Sequence, residues 1–386
     1  MSHRNWLCLS LTEGIGPILA RRLVEATGSA EAACHASANV LKTIEGIGSA
    51  RAPKLAQALV EARAKVEDEM ARAHAMPDVG FVCPDDEAFP YLLRAVPDAP
   101  LILYIRGTLE PRDLNSIAIV GSRKCSFYGR EQSERFGAML AGAGFTVISG
   151  GARGIDSAAH RGAMQQPNGR TIAVLGSGID VSYPPENAEL FNQIAARGCV
   201  LSEYPMGTPP LKDNFPKRNR VVSGMSRGVL VIEADERSGA LITARQAIED
   251  HQRPVMAIPG RVDNALSAGP HKLIREGATL VTRVEHILEA VGALDASLPE
   301  MPLFESPAER LNLPVTPATL QAVSVTTLLS ADQRHIHSAL TRDPLGVDAI
   351  VEQTSLAAHV VLRELTMLTL KGFAKRVDGQ RFVRTG

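Results

Sequence analysis

The residues in this chain best equipped for chemistry stand in one short stretch, KDNFPKRNRVVSG, at 212–224. Four cations, Lys212, Lys217, Arg218 and Arg220, surround one aromatic, Phe215. Lysine and arginine neutralise phosphates, and an aromatic ring stacks on an unpaired base, so the set suits an anionic ligand with flat faces. The same residues also read as a solvated charge run beside a core phenylalanine. Pro216 disfavours helical backbone at the residue before it, so Phe215 is expected extended with its ring aimed outward. Arg218 and Arg220 flank Asn219 in a helix-start region, and one of the two is expected to pair with Glu233 or Glu203.

These residues need elements to place them. Between 79 and 290, continuous apolar runs of strand length recur: FVCP (81–84), LILYI (101–105), SIAIVG (116–121), FTVISG (145–150), TIAVLG (171–176), CVLSE (199–203), GVLVIEA (228–234), PVMAIPG (254–260) and ATLVT (278–282). Continuous rather than alternating polarity marks strands buried on both faces. Helical segments at 129–142, 156–165, 186–197 and 239–250 lie between them. The alternation predicts an α/β fold, an extended Rossmann-like, doubly wound, mostly parallel sheet.

Ligands of such sheets bind outside the carboxyl ends of the strands. The segments found there are Gly121-Ser122-Arg123, GGARGID (150–156), GSGID (176–180), Glu203 with the 212–224 stretch, and DERSGALIT (235–243). Small and glycine-rich loops let backbone amides approach an anion, and several open a helix whose N-terminus favours a phosphate. With Arg123, Arg153 and the 212–220 cations, they predict an anionic ligand on this rim. LGSGIDV begins like GxGxxG, but Val181 stands at its sixth position, and no GxxxxGK[ST] is present, so no nucleotide cofactor is expected. Asp156 and His160 stand four apart on a helix, in reach of each other or of a metal; a structural contact is the expectation, and no metal is assigned. Glu203 and Glu233 lack a matched nucleophile or second carboxylate, and Glu233 reads as an orienter of arginines or amides.

The flanks differ in character. Residues 1–75 read as short helices with glycine turns, in which EGIGPILARRLVEATG (13–28) and EGIGSARAPKLAQAL (45–59) resemble helix-hairpin-helix units of a small helical, SAM-like domain. Residues 292–330, with prolines at 299, 302, 307, 314 and 317, read as a linker. Residues 331–386 predict three helices and a hairpin about Asp378-Gly379, a winged helix. Its third helix is largely apolar, and its cations are few, Arg363 and Lys371.

A net charge of −1 over 386 residues announces no global field for nucleic acid, so any basic site must be local. Five cysteines, none in a CxxC pair, point to reduced thiols rather than disulfides or zinc. The N-terminus carries no apolar segment of signal-peptide type and no run of 18 apolar residues occurs, so no membrane contact and a cytoplasmic location are expected.

Five motifs then coincide with a family. AIVGSRKCSFYG (118–129), SGGARGIDSAAHRGAM (149–164), TIAVLGSGIDVSYPPEN (171–187), FPKRNRVVSGMS (215–226) and EADERSGALITARQAIEDHQRPVMAIPG (233–260) resemble, in order, the bacterial DNA-processing protein A family, also called DprA or Smf. The resemblance implies binding of single-stranded DNA without sequence preference, loading of the RecA recombinase during natural transformation, action as a homodimer, and no catalysis. In that family the Arg of GSR and a Lys-x-x-Phe step line the DNA pocket, here Arg123, Lys212 and Phe215. The expected single-strand contacts are Gly121, Ser122, Arg123, Gly151, Arg153, Gly207, Lys212, Phe215, Arg218, Arg220, Ser238 and Gly239. The alternative is a nucleotide-binding Rossmann enzyme of the phosphoribohydrolase, lysine-decarboxylase-like group. Those enzymes carry a Pro-Gly-Gly-x-Gly-Thr loop where this chain reads ERSGALIT.

Overall fold

The structure, a computed structural model, describes residues 2–292 and 331–384 apart from 342, 371–372 and 379–380. The chain divides into two compact units, Met1–Val291 and Gly292–Gly386.

The first unit opens with five helices: α1 (Ser2–Leu11), α2 (Pro17–Thr27), α3 (Ala30–Cys34), α4 (Ala38–Leu41) and α5 (Ala52–His74). α2 and α5 each begin shortly after a Gly-Ile-Gly turn with proline in the first turn, where its missing N–H costs no intrahelical bond. Arg51 Nη2 donates to Gly14 O at 2.8 Å, tying the two turns together. α5 buries Leu55, Leu59, Ala62, Val66 and Ala73 at helical spacing. That face belongs to a hydrophobic cluster that also takes in Phe81, Tyr104, Leu175 and Phe191. Buried Glu69 of α5 accepts from Tyr104 Oη at 2.7 Å and from Met206 N at 2.6 Å, so the helices are bolted to the following sheet by polar contacts too.

The sheet elements follow in order as β1 (Val79–Val82), α6 (Tyr91–Arg94), β2 (Leu103–Gly107), β3 (Ser116–Val120), α7 (Phe127–Gly142), β4 (Thr146–Ser149), α8 (Ile155–Met164), β5 (Arg170–Leu175), α9 (Ala188–Arg197) and β6 (Cys199–Ser202). Then come α10 (Asn214–Gly224), β7 (Gly228–Val231), α11 (Gly239–Glu249), β8 (Val255–Ala257), α12 (Ala268–Arg275), β9 (Thr279–Leu280) and α13 (Val284–Val291). The nine strands form one sheet in the order β1-β2-β6-β5-β4-β3-β7-β8-β9. β1–β2 and β2–β6 are antiparallel and the remaining pairings parallel, so the sheet is mostly parallel, as expected. Every residue of β3, β4, β5, β6 and β7 is buried, which explains their unbroken apolar runs. β1 stops at Val82, before Pro84, which has no N–H to give a ladder.

One expectation is overturned here. Phe215 is not extended: it sits in the first turn of α10, one residue after Asn214 and just before Pro216. The first-turn N–H groups have no intrahelical acceptor, so proline is tolerated there and Phe215 takes helical backbone.

The second unit contains α14 (Ala331–Ala339), β10 (Leu345–Gly346), α15 (Val347–Thr354), α16 (Ala358–Leu370), β11 (Ala374–Asp378) and β12 (Arg381–Arg384). Its three strands run β10-β12-β11, giving the helices and wing of a winged helix. Ile336, Leu340, Ile350, Val361, Leu365, Leu368 and Phe382 form its core. The apolar surface of α16 is thus packed largely inward. The expected linker beyond Gly292, the Gly379 of the hairpin turn, the Arg363 side chain and Lys371 lie outside the described residues.

Candidate nucleic-acid interface

From β3 the parallel sheet grows one way, through β4 and β5 to β6; the chain then returns through α10 to lay β7 on the other side of β3. Strand order reverses between β3 and β7, and a crevice opens outside the carboxyl ends at such a point. A cavity of about 360 Å³ lies there. Gly121, Ser122, Arg123 and Lys124 after β3 line it, with Gly150, Ala152 and Asp156 after β4. Phe215, Pro216, Arg218 and Asn219 of α10 close another side, and Asp235, Ser238 and Gly239 after β7 complete it.

The loop carrying Arg123 is held by buried Glu233 at the end of β7. Its carboxylate accepts from Ser126 N at 2.8 Å and Ser126 Oγ at 2.6 Å, while Ser122 N donates to Glu233 O at 2.7 Å. Ser126 in turn caps α7, accepting from Gly129 N at 3.1 Å. Glu233 therefore orients amides, as its position suggested. Gly121 is required by close approach: a Cβ there would lie 2.6 Å from Ile155 Cγ1 and 2.8 Å from Glu233 O. With this loop fixed, the exposed Arg123 guanidinium sits 4.7 Å from the centroid of half-buried Phe215, a cation–π contact.

α10 separates the two arginines that flank Asn219. Residues two apart on a helix point to different faces. Arg218 turns to the sheet, is buried, and donates Nη1 to Val174 O. Its Nε has no hydrogen-bond partner among the described residues. Burial pushes Arg218 down to about 10, with Asp156 opposing the shift, so it stays a cation at neutral pH. Arg220 faces elsewhere: Nη2 donates to Glu203 Oε2 at 2.6 Å, and Nε lies 3.3 Å from Asp98 Oδ2. Burial raises the Glu203 pKa against the pull of Arg220. The expected pairing of one arginine with Glu203 or Glu233 is this one, and it places Arg220 among protein groups rather than in the crevice.

Of the other expected contacts, Ser238 and Gly239 open α11 on the cavity wall; Ser238 caps the helix by accepting from Ala240 N at 3.3 Å, and a Cβ on Gly239 would meet nothing within 4 Å. Gly151, Arg153, Gly207 and Lys212 lie outside the cavity lining. Gly151 takes φ 65° under Phe191. Gly207, φ 76°, donates its N–H to Asp180 Oδ1 at 2.8 Å. Arg153 pairs with Glu186, Nη2 to Oε2 2.9 Å. Lys212 is exposed in the turn before α10, and Lys217 is exposed on it. Asp156 and His160 do not bond each other: Asp156 accepts from Ala152 N at 3.3 Å, and His160 Nδ1 meets Thr171 Oγ1 at 2.7 Å. Sequence reasoning passed over Lys124, Asn219, Asp235 and Tyr183. The aromatic Tyr183, inside the quoted GIDVSYPPEN motif, was the available signal for the last. Three cations, Arg123, Lys124 and Arg218, face two carboxylates, Asp156 and Asp235, around the cavity, so its charge balance suits an anion.

Comparison with known proteins is decisive for the family. Residues 80–292, more than half of the chain, match the model of DNA recombination-mediator protein A. The chain belongs to the DNA recombination-mediator protein A family. Residues 317–380 match the DprA winged helix domain. Protein Smf of Synechocystis sp. is 35% identical over 402 residues, covering 98% of each chain. Protein Smf of Escherichia coli is 44% identical over 307 residues, covering 78% of this chain and 77% of that one. The X-ray structure of DNA processing protein A (DprA) from Streptococcus pneumoniae superposes with a TM-score of 0.63 at 34% identity, covering 74% of this chain and 97% of that one. The family core thus contains the whole crevice.

Proposed function

We propose that the protein binds single-stranded DNA in the crevice between β3 and β7 and presents it to a RecA-type recombinase, acting as a homodimer and without catalysis. The observation that carries the binding reading is the pairing of Arg123 with Phe215 at 4.7 Å on the rim of a cationic cavity. A phosphate finds Arg123, Lys124, the buried Arg218 and the Gly239 amide in the first turn of α11, since Ser238 N already donates to Asp235 O at 3.1 Å. An unpaired base finds the Phe215 ring or the guanidinium plane lying over it. Single strands offer both groups at every nucleotide, whereas a duplex hides its base faces. The contacts proposed here are to phosphates and to ring faces, which carry no base information, so binding is expected to be indifferent to sequence. Lys212 and Lys217, exposed at the start of α10, extend the cationic track towards solvent. Family membership supports handling of DNA, and the recombinase step rests on the family resemblance.

The test is fluorescence anisotropy of a labelled oligo-dT with single- and double-stranded competitors across a salt titration, beside Arg123→Glu. Tight, strand-selective, salt-sensitive binding that Arg123→Glu weakens alike for every sequence is the expected result. Unchanged binding by Arg123→Glu would remove the crevice from the site.

A further inference from the structure

The rim holds a second aromatic that extends the arrangement at Phe215. Tyr183 lies half-buried in the segment between β5 and α9, its ring centroid 5.6 Å from that of Phe215 and its plane tilted by 42°. The Arg153 guanidinium lies 6.0 Å from the Tyr183 centroid. Four planar groups therefore follow one another: Arg123, Phe215, Tyr183, Arg153. The pattern is one arginine–aromatic unit repeated, first at the crevice and again beside it.

Two directions out of the crevice differ in chemistry. Towards the segment after β7, the chain offers Asp235 and Glu236 beside Arg237, and no aromatic lines the cavity on that side. Towards the loops after β4 and β5, it offers Tyr183 and Arg153. A polyanion with stacking bases is repelled by the first carboxylates and matched by the second pair. Arg153 is already engaged by Glu186, but both side chains are about half exposed, at 48% and 53%. An ion pair so exposed is worth little in water and can be exchanged for a phosphate at small cost.

Resting on the crevice reading given above, we infer that Tyr183 and Arg153 form a second nucleotide station. The single strand leaves Phe215 across the loops after β4 and β5. Tyr183 stacks the next base, and Glu186 holds Arg153 in place until a phosphate takes it over.

The experiment measures oligo-dT affinity by anisotropy for full-length Tyr183→Ala, Tyr183→Phe, Phe215→Ala, the double variant Tyr183→Ala/Phe215→Ala, Glu186→Gln, and Arg123→Glu as the crevice control. Loss of one stacked base predicts a drop of about fivefold or more for Tyr183→Ala. Tyr183→Phe keeps the ring and should bind as the parent does. The double variant should be weaker than either single one, although the touching rings are expected to couple, so its loss relative to the parent need not equal the product of the two single losses. Glu186→Gln removes the competitor for Arg153 and should tighten binding. A double variant no weaker than Phe215→Ala would show that Tyr183 only buttresses the Phe215 ring, and would overturn the inference. So would a Glu186→Gln protein that binds no tighter. If Arg123→Glu loses binding while Tyr183→Ala keeps it, the second station falls and the crevice stands. If Arg123→Glu also binds normally, the crevice reading falls and the station goes with it.

Discussion

Phe215 shows how one side chain can serve two masters. Its ring packs over Gly176, where a Cβ would sit 2.9 Å from Phe215 Cδ1, and it carries the Arg123 guanidinium at 4.7 Å. Substitution by alanine therefore removes a stacking surface and also loosens the perch of Arg123. If stacking dominates, Phe215→Ala should lower single-strand affinity by roughly 1–3 kcal/mol per stacked base while leaving the slope of log affinity against log salt nearly unchanged, because stacking releases no counterion. A fall in slope by about one phosphate contact would show instead that the ring works by aiming the guanidinium. Anisotropy titrations at several salt concentrations separate the two. Arg218 differs from Arg123 in kind: it is buried and spends one N–H on Val174 O, so it presents a fixed positive field rather than a mobile arm. Nothing in the string KRNR distinguishes the buried arginines from the exposed lysine, because the groups that claim them, Val174 O, Glu203 and Asp98, come from distant parts of the chain.

Elements were legible where burial is two-sided and opaque where polar groups are buried. β3, β4, β5, β6 and β7 announce themselves because each is apolar on both faces. α10 does not: its buried positions include Asn214, Arg218, Arg220 and Ser223, so no apolar stripe marks the helix, and Pro216 argues against it. The rim loops were readable as glycine-rich and cationic, but the return of the chain to the far side of β3, which makes the crevice, is a property of strand order that no local pattern encodes. The packing of α7 on α8 follows from a glycine that does have a local reason. At Gly137 a Cβ would lie 2.5 Å from Ala159 O and 3.2 Å from Ala163 N, so the two helices meet backbone to backbone. α8 begins directly after the GGARG loop, so its seat sets where that loop stands. Gly137→Ala gains helix propensity but must push α8 away. Overpacking costs about 1–3 kcal/mol, and because the clash is with backbone rather than a movable side chain it should exceed the roughly 1 kcal/mol gained by replacing glycine in a helix. Net destabilisation in urea unfolding is expected; a stabilised variant would mean that the helices can part freely.

At the scale of the first unit, helices and sheet share a core, and one contribution to its acid response can be traced to a residue at its centre. The Trp6 cluster runs from α1 through α5 to Ala173 and Leu175 of β5, so the chain's single tryptophan reports on the same body that contains the crevice. His160 of α8 is fully buried beneath that crevice. Thr171 Oγ1 gives its proton to Val147 O at 2.6 Å and so accepts from His160 Nδ1–H; Nε2 is left as the bare nitrogen, without a partner among the described residues. Burial first, then the Arg218 and Arg161 charges, depress the His160 pKa to about 3. An unfolded histidine titrates near 6.5. Between these values the unfolded chain holds a proton that the native one refuses, so the contribution of His160 to stability is complete above about pH 6.5 and declines as pH falls towards 3. By pH 5 the loss from this residue alone is about 2 kcal/mol. Burial raises the pKa values of Asp156 and Glu203, which favour the native state as pH falls, while burial lowers that of His251, which runs with His160, so the parent protein's net acid slope mixes several groups. A difference between two proteins isolates it. His160→Gln retains a side chain able to donate to Thr171 but cannot take up the proton. Its cost in urea unfolding, followed by Trp6 fluorescence, should be about 2 kcal/mol smaller at pH 5 than at pH 7. An equal cost at both pH values would mean that His160 accepts its proton in the native state, and that the buried charge of Arg218 and the exposed charge of Arg161 are screened from it.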